Sequence, residues 1–405
     1  MKNIGPLSRR ALEMPASPIR RLAPFAAEAA SRGRVVHHLN IGQPDIATPP
    51  ELLRRLSSFV EANVAYGPSE GLPEFIEVLR RYHARWGIEL DAEEIFVTTG
   101  GSEALLFALA AIADPGDEVL VFEPFYANYS GFARLLGVDT VAVTTDPGDG
   151  YHLPQPAEIE ARITPRTRAI LLCSPNNPTG TVYDASELER VGRICRERGL
   201  YLVSDEVYRE FTYDGRTHCS AMTLPGLERQ VILIDSLSKR VSMCGARVGW
   251  IVCRNRDLMG AVMKFGQARL CPPTLGQYVG IGLDDVPESY MSGVLEEYRL
   301  RRNLVHQALT EIPGVTAQRP EGAFYLCAGL PVDDAQSFAE YLLRDFSIDG
   351  ETTMIAPADG FYATPGLGRR EARFAYVLDR DRLRRAIRVV AAALESYPGR
   401  ISSVR

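Results

Sequence analysis

TRAILLCSPNNPTG (167–180), SELERVGRICRERG (186–199) and LYLVSDEVY (200–208) follow one another in the chain, and their reading decides the fold. AILLC and LYLVSD are apolar at successive positions, not only at alternate ones. Strands of that kind are buried on both faces, as in the middle of a parallel sheet with helices above and below. The charged run between them predicts a helix. The same alternation continues on either side: EIFVTTG (94–100) precedes SEALLFALAAIA (102–113), DEVLVFEP (117–124) precedes FYANYSGFARLLG (125–137), and VILIDSLSK (231–239) and RVGWIVC (247–253) follow. The chain therefore reads as α/β, with a three-layer, mostly parallel sheet in a large domain. In open sheets of this type ligands gather at the carboxyl ends of the strands. Polar clusters sit at those ends: GGSE after IFVTT, EPFY after VLVF, SPNNPTG after AILLC and SDEVY after LYLV.

The 405 residues suit two domains. From about residue 290 the character changes. SGVLEEYRLRRNLVHQALTEI (292–312) predicts a long charged helix. EGAFYLCAGL (321–330), TMIAPADGFY (353–362) and EARFAYVL (371–378) predict strands, and DRDRLRRAIRVVAAALESY (379–397) a closing amphipathic helix. Near the start, the segment 14–33 predicts a helix after Pro18, and VVHHLNIGQPDIATPP (35–50) a short strand running into a Gly/Pro-rich loop. The expected division is a large domain over 48–290, and a smaller α+β domain built from 1–47 and 291–405.

Composition narrows the function. A net charge of −6 without a basic patch speaks against nucleic-acid and membrane partners. The N-terminus carries no apolar leader core, and no run reaches the roughly 18 apolar residues of a membrane span. Seven scattered cysteines, with no CxxC pair, fit reduced thiols in a cytoplasmic protein better than a disulfide framework or a metal site.

Four motifs carry chemistry. In SLSKRVSMCGARVG (236–249), Lys239 closes an apolar strand, with Ser236 and Arg247 nearby in sequence. A lysine amine can form an imine with a carbonyl cofactor and then serve as acid and base; an ordinary surface lysine is the bland alternative. Asp205 ends another apolar strand, where an unpaired carboxylate is costly and calls for a cation, unless it merely caps the next turn. SPNNPTG is a rigid turn presenting the Asn177 amide, or simply an Asn/Pro turn. TTGGSEAL (98–105) puts two glycines at a helix start, where backbone N–H groups and Ser102 can cradle a phosphate, although many such loops do not. Arg247 would add a charge-assisted contact. Tyr126 is placed either to lie on a flat ring or to fill the core.

Taken together, Asn177, Asp205, Tyr208, Lys239 and Arg247 resemble the fold-type I pyridoxal-phosphate (PLP) aminotransferases of class I/II, and within them the aspartate aminotransferases. Asp205 lies 28 residues after Asn177, Tyr208 three after Asp205 and Arg247 eight after Lys239. IGQPD (41–45) and YGPSEGLPEF (66–75) fit the same pattern, and the resemblance runs from about residue 15 to the C-terminus. It implies that Lys239 anchors the cofactor and moves the α-proton, that Asp205 pairs with the pyridine nitrogen, and that Asn177 and Tyr208 hold the ring oxygen. Gly101, Ser102, the backbone of Glu103, Ser236 and Arg247 would bind the phosphate. Tyr126 would stack on the ring, where many relatives have tryptophan. Tyr66 would reach the phosphate of a neighbouring subunit, which implies a homodimer with shared active sites. Gly42 would touch the substrate through its backbone. Arg373 would take the α-carboxylate, in preference to Arg369 and Arg370.

The implied reaction moves the amino group of an L-amino acid to a 2-oxo acid by a ping-pong course, with aspartate or glutamate and 2-oxoglutarate as the default pair. Arg269 is a candidate for a distal substrate carboxylate or for an interface, and Ile19 for closing over the substrate. A same-fold enzyme performing elimination, cyclisation or oxidation is the alternative. A non-catalytic PLP-binding regulator is the other, but no DNA-binding module precedes IGQPD.

Overall fold

The computed structural model describes residues 7–60 and 63–402. Its centre is a seven-stranded sheet. The chain supplies β1 (Val35–His38), β2 (Ile95–Thr98), β3 (Glu118–Glu123), β4 (Asp139–Thr144), β5 (Thr167–Cys173), β6 (Tyr201–Asp205), β7 (Val231–Ser236) and β8 (Gly249–Val252). The sheet runs in the order β2-β8-β7-β6-β5-β3-β4. The pairs from β7 to β4 are parallel, and β8 is antiparallel to both of its neighbours.

The two-sided apolar pattern has the predicted meaning. Along β5 and β6, Ala169, Leu171, Cys173 and Val203 enter one hydrophobic core, while Ile170, Leu172 and Leu202 enter a second. Successive side chains of a strand point to opposite faces, so a strand apolar throughout must be covered twice. Each fully buried side chain of this size stabilises the fold by roughly 1.5–3 kcal/mol. The helix Ala185–Arg198 between these strands is closed at both ends. Asp184 accepts from the N–H of Glu187 at 2.9 Å, Glu187 returns a bond to the N–H of Asp184 at 2.9 Å, and Gly199 ends the helix in the left-handed region.

The remaining strands are β9 (Thr316–Ala317), β10 (Tyr325–Gly329), β11 (Glu351–Met354), β12 (Ala356–Pro357) and β13 (Glu371–Ala375). Four form an antiparallel sheet in the order β12-β13-β10-β9, and β11 pairs in parallel with β1. That pairing ties the N-terminal segment to the C-terminal part. The helix Glu288–Thr310 runs across position 290 and packs against the closing helix Arg380–Ser396.

Behind the carboxyl ends of β6 and β7 lies a buried ionic cluster. Arg209 bonds Glu206 at 2.9 Å, and Glu206 also meets His218 at 2.8 Å. Arg240 pairs with Asp235 at 2.5 Å and stands over the Tyr82 ring at 4.1 Å. Five hydrogen bonds or ion pairs converge on Glu206, from Ser204, Arg209, His218, Ser220 and the N–H of Ala221. Burial opposes its charge, but these partners win and bring its pKa down to about 2. Removing one partner from such a cluster strands the opposite charge in a dry interior. Arg209→Leu should therefore destabilise the protein by roughly 3–5 kcal/mol, read by denaturant unfolding; a loss no larger than that of a surface substitution would show that the cluster is not holding the strand ends.

Candidate active site

The carboxyl ends of β5, β6 and β7, the start of the helix Gly100–Ile112, the turn after β1 and strand β13 face a cavity of about 560 Å³. Asp205, the last residue of β6, accepts from the Tyr129 hydroxyl at 2.6 Å and from the N–H of Val207 at 3.3 Å. No described lysine, arginine or histidine pairs with it, and burial raises its pKa to about 6. A buried carboxylate in this state is suited to a cationic ligand atom.

Lys239 sits in a four-residue helix directly after β7, and its Nζ donates to the carbonyl of Gly42 at 2.8 Å. Burial lowers its pKa to about 8, and Arg373 and Arg247 act in the same direction. Arg373, on β13, is 1% exposed. It donates to Oδ1 of Asn177 at 2.8 Å and to the carbonyl of Asn40 at 2.5 Å, while its Nε has no partner. The rings of Tyr325 and Phe361 flank it at 4.5 and 5.0 Å. A buried guanidinium without a described carboxylate partner is a ready anion site. Because Asn177 spends its oxygen on Arg373, its NH₂ is the end left for the cavity. The Tyr208 hydroxyl is 2.8 Å from that of Tyr325.

A second anion-binding feature lies at the helix start. Gly101 and Ser102 line the cavity, and the first N–H groups of a helix have no intrahelical partner. Glu103 turns its carboxylate back onto the N–H of Thr99 at 2.7 Å, so only its backbone is available. Gly100 has φ +73°, and a Cβ there would lie 2.6 Å from Nη2 of Arg247. Glycine thus lets the Arg247 guanidinium approach the helix start. Ser236 lines the cavity but donates its hydroxyl to the Val248 carbonyl at 2.8 Å. Tyr126 forms part of the wall, its hydroxyl accepting from Asn128 at 2.8 Å.

Comparison with known proteins agrees with this geometry. The sequence profile of the family described as aminotransferase class I and II matches residues 34–387. The chain belongs to the class I and II aminotransferases. It is 33% identical to the aspartate/prephenate aminotransferase of Thermus thermophilus over 396 residues, covering 92% of this chain and 99% of that protein. It is 29% identical to the aspartate aminotransferase of Geobacillus stearothermophilus, covering 96% and 99%. The solved structure of the Thermus thermophilus aspartate aminotransferase with maleate superposes with a TM-score of 0.88 at 30% identity, covering 96% of this chain and all of that one. The protein is a transaminase, transferring amino groups between amino acids and 2-oxo acids, and elimination, cyclisation or oxidation is not favoured.

Within this aminotransferase, Gly42, Gly101, Ser102, Tyr126, Asn177, Asp205, Tyr208, Ser236, Lys239, Arg247 and Arg373 all line one cavity. Tyr66 does not; it is 80% exposed. Arg269 is outside the lining, bonded at 3.3 Å to the carbonyls of Ser69 and Val97. Arg369 is paired with Asp334 outside the cavity, leaving Arg373 as the buried arginine. Ile19 does reach the cavity, held through its carbonyl by the amide of Asn40 at 2.8 Å.

Sequence reading missed Asn40, Tyr129 and Tyr325, which orient Arg373, Asp205 and Tyr208. Asn40 stands directly before IGQPD and Tyr129 three residues after Tyr126, so proximity to a motif was the available signal. A Cβ on Gly42 would lie 1.8 Å from the Tyr325 hydroxyl. Gly42→Ala should push Tyr325 off Tyr208 and shift the carbonyl that holds Lys239. The expected cost is about 1–3 kcal/mol of stability together with a marked loss of turnover, read by thermal unfolding and steady-state assay; unchanged values in both would show that the turn yields freely.

Proposed function

We propose that this transaminase uses pyridoxal 5′-phosphate and exchanges amino groups between an L-amino acid and a 2-oxo acid by a ping-pong course, with aspartate or glutamate as donor and 2-oxoglutarate as acceptor. The observation that carries the reading is the convergence of Asp205 from β6, Arg373 from β13 and Lys239 from the short helix after β7 on one cavity. The residues present fit the cofactor. Asp205 lacks a cation where a protonated pyridine nitrogen would supply one. The helix start and Arg247 suit a phosphate. The amine of Lys239 has a carbonyl, not a carboxylate, as its partner.

When bound, the cofactor supplies the electron sink that makes an α C–H bond acidic. The chain's own groups do the rest. Lys239 would hold the cofactor through its amine, and that same amine is the group placed to move the α-proton. A depressed pKa keeps a useful fraction of its amine neutral near pH 8. Asp205, itself held by Tyr129, would pair with the pyridine nitrogen. Asn177 and Tyr208 would hold the ring oxygen, and Tyr126 would cover the ring. Gly101, Ser102, the Glu103 backbone, Ser236 and Arg247 would hold the phosphate. Arg373 binds the α-carboxylate through the face left by Asn177 and Asn40, and Gly42 lines the substrate side through its backbone. The N-terminal segment, through Ile19, keeps water from the site.

We further propose a cytoplasmic homodimer. The segment around Ala65 to Ser69 is tied to Thr274 and Arg269, and the exposed apolar residues Val60, Val64, Tyr66, Leu270 and Leu275 gather in these two segments. Such a surface suits a second copy, with Tyr66 reaching the partner's phosphate site. All seven cysteines are free, in keeping with a reducing compartment. No helix among the described residues is long and apolar enough to cross a membrane. The division into 48–290, and 1–47 with 291–405, is proposed on sheet membership. The seven strands of the large sheet fall in the first and the other six in the second.

Lys239→Ala should abolish the visible absorption of the purified protein and the formation of glutamate from 2-oxoglutarate with any donor; a fully active variant would sink the assignment. The pH dependence of cofactor uptake gives a second check. Only the neutral amine attacks a carbonyl. Uptake by cofactor-free protein should therefore rise with pH through a midpoint near 8, set by the lowered pKa of Lys239, and not near the ~10.4 of an ordinary lysine. Stopped-flow absorbance measures it.

A further inference from the structure

Arg20 and Arg21 are adjacent in sequence but do different things. Arg21 is latched to Asp359 by two bonds, of 3.1 and 2.5 Å, which fixes the N-terminal segment against the C-terminal part. Pro18 reinforces the latch by packing on Gly360, where a Cβ would come within 2.6 Å of its ring. Arg20 lines the cavity, and no described carboxylate forms an ion pair with it. The phenol of Tyr126 shows where this charge is felt. Burial raises its pKa, and the cations Arg373, Arg247 and Arg20 oppose the rise.

The cavity thus has cations at two depths on its substrate side. Arg373 is deep, held by Asn177 and Asn40, and Arg20 is exposed at the mouth. If Arg373 takes the α-carboxylate and Lys239 attends the α-carbon, the third substituent of that carbon extends toward the remaining wall. Ser17, Ile19, Arg20 and Phe132 are among the residues that line the cavity. The apolar members accept a hydrocarbon stem, and Arg20 meets its end.

We propose that Arg20 is the specificity-determining residue that reads a second, distal carboxylate on the substrate, so that acidic amino acids and dicarboxylic oxo acids are preferred to neutral ones. This rests on the assignment of Arg373 to the α-carboxylate. Arg269, for which the sequence leaves a distal carboxylate or an interface open, is outside the lining of this cavity and bonded to the carbonyls of Ser69 and Val97. Because Arg20 is exposed, its contribution is screened by salt and falls as ionic strength rises.

The test uses the holoenzyme with Arg20→Gln, Arg20→Lys and Arg21→Gln. Succinate and propionate are the binding probes, measured by calorimetry, and kcat/KM is taken with L-aspartate, L-glutamate and L-alanine. Arg20→Gln should weaken succinate at least tenfold, about 1.4 kcal/mol, with propionate changed less than about threefold. The same selectivity should appear in kcat/KM for the acidic substrates against alanine. Arg20→Lys should restore part of it, and high salt should erase the difference between native enzyme and Arg20→Gln. Arg21→Gln loosens the segment without touching the charge in the cavity, so it should affect acidic and neutral ligands alike. Equal losses for both ligand classes in Arg20→Gln, or no loss in either, would overturn the proposal. Native enzyme that converts no amino acid at all would instead overturn the transaminase reading on which it rests.

Discussion

Asp205 and Glu206 are consecutive residues where β6 ends, and the pleat sends their carboxylates to opposite faces of a sheet buried on both sides. Glu206 enters a dry cluster with Arg209 and His218. Asp205 faces the cavity with only Tyr129 and a backbone N–H for partners. The same division recurs on β7, where Asp235 pairs with Arg240 on the far face while Ser236 lines the cavity. Lys239 and Arg240 continue it. The ionic cluster therefore clamps the strand ends from behind, and the groups in front are positioned by backbone that cannot shift without breaking buried ion pairs. A site built on rigid strand ends holds its geometry better than one built on free loops.

The electrostatics of the cavity follow from this framing. Lys239, Arg247 and Arg373, with Arg20 at the mouth, share one cavity with a single buried carboxylate, Asp205. The lysine is the group that gives way, and its pKa falls to about 8. One charge arrangement thus does two jobs. It offers positive charge to anionic groups and keeps the amine of Lys239 ready to lose a proton.

Much of this was legible in the sequence, for a physical reason. Strands buried on both faces have few polar residues, so those that occur at their ends, such as Asn177, Asp205 and Lys239, stand out. In the C-terminal part the strands around Tyr325 and Arg373 were readable from their apolar runs, but the two-residue strand Thr316–Ala317 that completes the four-stranded sheet was not. The partners of the site were harder. Tyr129 and Tyr325 have the composition of core aromatics, and only the fold brings their hydroxyls to Asp205 and Tyr208. Arg269, a lone arginine beside a Pro-Pro turn, carries no mark in the sequence of the direction in which its side chain points.

Arg20 and Arg21 show the same limit more sharply. Nothing in SPIRRLAP distinguishes one arginine from the other. Their difference arises from Asp359, 338 residues away from Arg21 and supplied by the turn after β12. Once Arg21 is fixed there, its neighbour must leave the backbone in another direction, and that direction is the cavity mouth. The cavity is therefore built from two parts of the fold held in different ways. Lys239 and Asp205 stand on strand ends clamped within the sheet, whereas Ile19 and Arg20 lie on a segment fastened by one surface ion pair, a packed proline and the bond from Asn40. Sequence change in that segment can alter the cavity mouth while leaving Lys239, Asp205 and Arg373 where they are.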